Sequence, residues 1–252
     1  MVGPAVAGVL MAQTGIAACF FLNGLSFLAV IGGLLLMRLP RFIPPAEPES
    51  TWQHAREGLA YVVKHRRVRR LLVLFGIVGV FGWSYSVVLP AFARELLGVG
   101  ESGYGALLSA NGIGALLGAL AVATFGQRVR PRLLVFGGLG LFSLMLFLLS
   151  ITRNYYLALL VLAVAGWGML LYFSTTNTLI QMSVSDHMRG RVMGIWALVF
   201  GGMLPVGGLE AGSFSHWLGM PWTVAIGATV CGVAALATWL NVRRSPPAAQ
   251  PS

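Results

Sequence analysis

The chain has 252 residues, of which 57% are hydrophobic and only 10% charged, where an average soluble domain carries about 25% charged residues. Apolar runs long enough to cross a hydrocarbon core about 30 Å thick, roughly 20 helical residues each, recur between short polar breaks, which excludes a soluble core. The formal charge of +10 sits in the loops between those runs, which is the bias of cytoplasmic loops and not of a nucleic-acid-binding face.

Lipid cannot satisfy backbone polar groups, so a spanning segment is a helix or a strand of a closed barrel. Barrel strands alternate polar and apolar residues, whereas runs such as Leu133–Ile151 are apolar all round. The predicted fold class is therefore all-α, a polytopic membrane helix bundle. The first apolar stretch, Pro4 to Met37, lacks a basic leader and, at 34 residues, is too long for the apolar region of a signal peptide. It is also too long for one crossing. The break at Gln13-Thr14-Gly15 divides it into the end of one helix and a full span at Ile16–Met37.

The loop Arg38–Arg70 follows. Pro40, Pro44, Pro45 and Pro48 cannot continue a helix, and Ser50-Thr51-Trp52-Gln53 has the spacing of a capping box. Trp52, Ala55, Leu59 and Val62 then recur at helical spacing, followed by Lys64, Arg66, Arg67, Arg69 and Arg70. The pattern predicts an amphipathic connector helix on the cytoplasmic surface, its basic end near anionic headgroups. Six further spans are predicted at Leu71–Ala93, Gly103–Phe125, Leu133–Ile151, Tyr155–Gln181, Val192–Gly212 and Thr223–Val242. Cys19 and Cys231 both fall inside apolar segments and read as free buried thiols.

Placing the 38–70 loop in the cytoplasm puts the 126–132 loop, the 182–191 loop and the C-terminal tail on the same side. These four segments carry eight, three, two and two Lys/Arg, 15 of the 17, leaving only Arg94 and Arg153 opposite. That asymmetry predicts a multi-pass protein with a cytoplasmic C-terminus.

Several stretches resemble members of the major facilitator superfamily, in particular bacterial exporters of the siderophore and macrolide exporter-like group. The strongest is Asp186-His187-Met188-Arg189-Gly190-Arg191-Val192-Met193-Gly194, with Asn177 and Gln181 on the helix before it. Phe21-Leu22-Asn23-Gly24-Leu25-Ser26-Phe27-Leu28, Glu57-Gly58-Leu59-Ala60-Tyr61-Val62 and Leu89-Pro90-Ala91-Phe92-Ala93-Arg94-Glu95-Leu96-Leu97-Gly98 resemble that group too, in the same order along the chain. The resemblance implies twelve helices in two halves around a central cavity, of which this chain holds the C-terminal half. Residues 1–37 would be the end of the first bundle, with Gly3-Pro4 through Gly8 as the tail of helix five and Ile16–Met37 as helix six. Residues 38–70 would be the inter-bundle loop, 71–242 the second six-helix bundle and 243–252 a cytoplasmic tail. The stretch Gly118 to Arg132 resembles the family's cytoplasmic glycine-and-arginine motif but lacks its aspartate, since no acid occurs between Glu101 and Asp186.

The resemblance further implies proton-coupled export of small amphiphilic molecules across the cytoplasmic (inner) membrane. Its partners would be substrate, proton, the bilayer and the N-terminal half. A non-transporting membrane subunit or an inactive transporter remnant is the alternative. The short Pro4–Ala12 stretch agrees with a chain that needs helices from upstream or from a second polypeptide, because half a crossing leaves helix-end amides in hydrocarbon.

Individual residues carry two readings each. Glu210 is the only acid within a proposed span, which makes it a substrate or proton candidate, although near the outer end it could also snorkel into the interface. Asn111, Asn177, Gln181 and Ser174-Thr175-Thr176 are polar at membrane depth, as cavity groups or as interhelical packing. Trp83 and Tyr85 fit either stacking on a substrate or aromatic packing. Asp186, Arg189 and Arg191 open a helix at its cytoplasmic end, where cations oppose the macrodipole. They form either a gating latch or ordinary topogenic charge. Gly114 and Gly118 fit close helix packing. Gly82-Trp83-Ser84-Tyr85-Ser86 is one glycine short of a nucleophile elbow with no strand before it. His54, His65, His187 and His216 are scattered, so the sequence calls for no catalytic site, metal or cofactor.

Overall fold

The computed structural model describes residue 21 and residues 24–37 and 51–244. The expected half-helix at Pro4–Ala12, the Gln13–Gly15 break, Cys19, the prolines of the loop, Ser50 of the capping box and the tail after residue 244 lie outside them. Among the described residues every regular element is helical: α1 (Gly24–Leu36), α2 (Thr51–Lys64), α3 (Arg66–Ile77), α4 (Ser84–Glu95), α5 (Glu101–Phe125), α6 (Pro131–Ile151), α7 (Tyr155–Met182), α8 (Asp186–Leu218) and α9 (Met220–Arg244). A π turn, Val78–Gly82, joins α3 to α4. Six of these segments are long and apolar enough to cross a membrane, α3 to α4 counting as one from Arg66 to Glu95. Among the described residues the fold is thus an all-α membrane helix bundle, as the long apolar runs require.

The connections follow local chemistry. Pro131 occupies the first turn of α6, where its missing N–H is no loss. The Asn154 side chain accepts from Leu157 N at 3.1 Å and caps α7. Gly98 and Gly219 take positive φ, 66° and 87°, in the turns before α5 and α9, a region closed to most side chains.

Two elements differ from their expected extents. α8 runs from Asp186 to Leu218, well past Val192–Gly212 at both ends, because a helix does not stop where hydrocarbon ends; the polar turns at each end keep their backbone bonds. The predicted basic end of the amphipathic helix belongs elsewhere. α2 stops at Lys64, and Arg66, Arg67, Arg69 and Arg70 open α3 instead. The predicted apolar stripe of α2 also divides: Val62 is buried, while Trp52 and Leu59 are exposed.

The spans pack in a chain of tight pairs, α5 on α7, α7 on α6 and α6 on α9, with α3, the π turn and α4 set against α8 and α9. Small residues allow the approach. A Cβ added at Gly114 would stand 1.7 Å from the Ala163 carbonyl oxygen, and one at Gly118 2.9 Å from that of Trp167, so α5 and α7 touch backbone to backbone. Tyr172, Phe142, Leu139 and Leu162 fill the core where α6, α7 and α9 meet, together with the free buried thiol of Cys231. α5 and α8 bury the least of their apolar surface. Nearly all side chains of α1 are exposed.

Candidate functional site

The groups singled out at membrane depth fall into two sets, because Trp83 and Tyr85 leave their helix in different directions. Tyr85 turns inward. Its ring meets Phe142 edge-on at 6.0 Å, and Asn111 lies close enough to its hydroxyl to interact with it. Asn111 Nδ2 donates in turn to the Leu162 carbonyl at 3.1 Å. Tyr85 and Asn111 therefore tie α4, α5, α6 and α7 together within the bundle.

Trp83 turns the other way, toward α8, and meets Phe200 edge-on at 6.0 Å. It is one end of an aromatic cluster that the sequence does not announce. Phe75 stacks on Trp196 at 3.6 Å, and Phe173 lies 5.7 Å from both. Phe200 closes the group, 6.1 Å from Phe75 and 5.9 Å from Phe173. Phe173, Asn177 and Gln181 continue along one face of α7 at four-residue spacing, and Gln181 Nε2 donates to Asn177 Oδ1. Trp83, Phe173, Phe200, Asn177 and Gln181 are all half-buried, forming a wall of rings with one amide pair. In the sequence these phenylalanines are indistinguishable from ordinary apolar residues.

Glu210 is enclosed within the bundle. Eight residues of α8 follow it before Gly219 is reached at the next turn, so it does not sit at the helix end. Both its carboxylate oxygens lack accessible surface and a hydrogen-bond partner, as do the Tyr172, Thr175 and Thr176 hydroxyls. Cys231 of α9 lies within electrostatic reach of both Glu210 and Tyr172. One turn before Glu210, Gly207 lies against the π turn: an added Cβ would stand 2.7 Å from the Val80 carbonyl oxygen. The π turn, which replaces the regular hydrogen-bond ladder, is thus packed tightly beside the span that carries the unpaired acid.

At the arginine-rich end, Asp186, Arg189 and Arg191 do not form one unit. Arg189 Nη2 pairs with Asp186 Oδ1 at 2.5 Å within the first turn of α8, both side chains well exposed. Arg191 instead leaves its helix and meets Glu57 Oε2 of α2 at 2.6 Å, with relative exposures of 14% and 38%. Its guanidinium also lies 3.3 Å from His187 Nε2. The backbones follow the ion pair: a Cβ at Gly58 would stand 2.9 Å from the Arg191 carbonyl oxygen. Glu57 and Gly58 belong to a stretch that carried the family resemblance, but as single residues they read as a solvated acid and a weak point in a helix.

Comparison with known proteins agrees with this architecture. The family described as transmembrane secretion effector matches residues 1–250. The enterobactin exporter EntS of Salmonella typhi is 26% identical over 204 residues, 78% of this chain and 47% of that protein. The multidrug resistance protein MdtG of Enterobacter lignolyticus is 30% identical over 198 residues, 76% of this chain and 46% of that protein. The chain spans about half the length of the curated relatives it matches.

Proposed function

The chain belongs to the transmembrane secretion effector family of the major facilitator superfamily, and from that premise we propose that it supplies the C-terminal half of a proton-coupled exporter of small amphiphilic molecules. Residues 71–242 form the second bundle, residues 38–70 the cytoplasmic connector and residues 1–37 the end of the first bundle. The least-covered spans, α5 and α8, face the other half, and the charge distribution supports a C-terminus in the cytoplasm of a cell whose inner membrane holds the protein.

The observation that carries this reading is Glu210. A carboxylate taken out of water without a partner is expensive, and such groups inside membranes belong to ion and substrate pathways. A proton, or a cationic group on the substrate, is the partner it lacks. The half-buried wall of Trp83, Phe173, Phe200, Asn177 and Gln181 gives an amphiphile ring faces for its apolar part and amides for its polar part. EntS and MdtG, named for enterobactin export and multidrug resistance, support export as the direction. Alternating access then exposes the wall to each side in turn.

The test is accumulation of a fluorescent amphiphilic cation in cells expressing the chain, alone and with a polypeptide supplying the first-half helices that precede helix six. Lower accumulation than in empty cells, abolished by an uncoupler, is the expected result. Equal accumulation in every arm would make the chain a non-transporting membrane component.

A further inference from the structure

The connector helix α2 has two working faces, and only one meets the bundle. On the inner face Gly58 and Val62 are buried, and Glu57 holds Arg191. On the outer face Trp52, Leu59 and Val63, spaced seven and four residues apart, are exposed by 79%, 54% and 56%. That spacing sets all three on one side of a helix.

The depth of this face follows from its attachments. Gly58 rests on Arg191 and Ile195, in the second and third turns of α8, and α2 ends at Lys64, two positions before the span that opens at Arg66. α2 is therefore held at the level where two spans leave the hydrocarbon. Apolar side chains pointing away from the bundle at that level meet the headgroup region, where tryptophan is enriched.

Among the described residues, the exposed charges beside this face are basic. Arg56, Lys64, Arg66 and Arg67 are exposed, and Arg66, Arg67, Arg69 and Arg70 crowd the start of α3, which has no acid in its first turn. Cations at a helix N-terminus oppose the macrodipole, which an anion bound there would offset. Arg69 Nη1 donates to the Val63 carbonyl at 2.6 Å, folding the arginine cluster back along α2 toward the apolar stripe. Aromatic and aliphatic groups flanked by arginines match an interfacial helix on an anionic membrane surface.

We propose that the α2–α3 corner is a binding surface for anionic phospholipid: Trp52, Leu59 and Val63 sit among the glycerol and upper acyl groups, Arg56, Arg66 and Arg67 hold the phosphates, and the lipid presses α2 onto α8. The proposal rests on the spans and on α2, not on transport, so either can fail alone.

The experiment uses the full chain with Cys19→Ser and Cys231→Ala, carrying a single fluorescent cysteine label at Trp52 or Leu59. It is reconstituted in nanodiscs of phosphatidylcholine with and without phosphatidylglycerol. Labels at both positions are expected to be quenched by a shallow doxyl lipid and protected from aqueous iodide. Native mass spectrometry of the unlabelled chain should show phosphatidylglycerol retention falling about five-fold for each charge removed by Arg56→Gln, Arg66→Gln and Arg67→Gln, with phosphatidylcholine retention unchanged. Quenching by iodide would place the face in water, and protection from both quenchers would mean that another protein segment covers it; either overturns the proposal. So does undiminished phosphatidylglycerol retention in the triple variant.

Discussion

Arg189 and Arg191 stand one residue apart yet work at different ranges. Arg189 closes a local, exposed pair with Asp186, a kind worth about 0.3–0.5 kcal/mol. Arg191 is more enclosed and joins two helices through Glu57. Glu57 keeps enough contact with water to screen the pair, so its coupling should be about 1 kcal/mol. A double-mutant cycle on thermal unfolding in detergent, Glu57→Gln against Arg191→Gln, should give that value; the Asp186→Asn, Arg189→Gln cycle should give half or less. Equal couplings would remove the distinction. Glu210 invites the opposite experiment, since an unpartnered buried carboxylate destabilises its surroundings. Glu210→Gln should abolish transport at unchanged membrane levels, while Glu210→Leu should raise unfolding stability by about 1 kcal/mol or more. Retained transport in Glu210→Gln would end its assigned role. The sequence marks Glu210 as unusual by residue type alone. It does not show that both oxygens are enclosed, because that depends on α8 continuing to Leu218.

Among the elements, the α5–α7 seam makes the sharpest prediction. Gly114 has no room for a side chain, whereas nothing lies within 4 Å of a Cβ at Gly112 on the same helix. Gly114→Leu should force the helices apart and lower stability by about 1–3 kcal/mol or prevent folding. Gly112→Ala should raise it by about 0.5–1 kcal/mol through helix propensity. Melting temperatures of the two variants in one detergent check the contrast, and similar shifts would refute it. The spans themselves are legible because bilayer thickness sets a length that composition reveals at once. The seam was legible too, as glycines four apart. The docking of α2 on α8 was not, because Gly58 and Arg191 are far apart in the chain and nothing in either segment names the other. The π turn escaped for a related reason: Val78 to Gly82 differs little in composition from the helix on either side.

At the scale of the whole molecule, the arginine distribution predicts an orientation that can be tested. A reporter fused after Ser252 or inserted near Glu47 should read as cytoplasmic, and one near Gly100 as external. A cytoplasmic reading at Gly100 would overturn both the span count and the placement of the arginine-rich end. The π turn bears on how such a bundle moves. Bonds from residue i to i+5 in place of i to i+4 make Val78–Gly82 a dislocation in the span from Arg66 to Glu95. A dislocation travels by exchanging one hydrogen bond at a time, each broken bond replaced by its neighbour. Every residue it passes turns by about 100° while both ends of the span stay anchored. A single step would swing Trp83 off Phe200 without moving α8 or tilting the helix. Such a step would re-face Trp83 alone while the rest of the wall stays on α7 and α8, and the turn that would take it lies against Gly207 of α8 and Gly227 of α9.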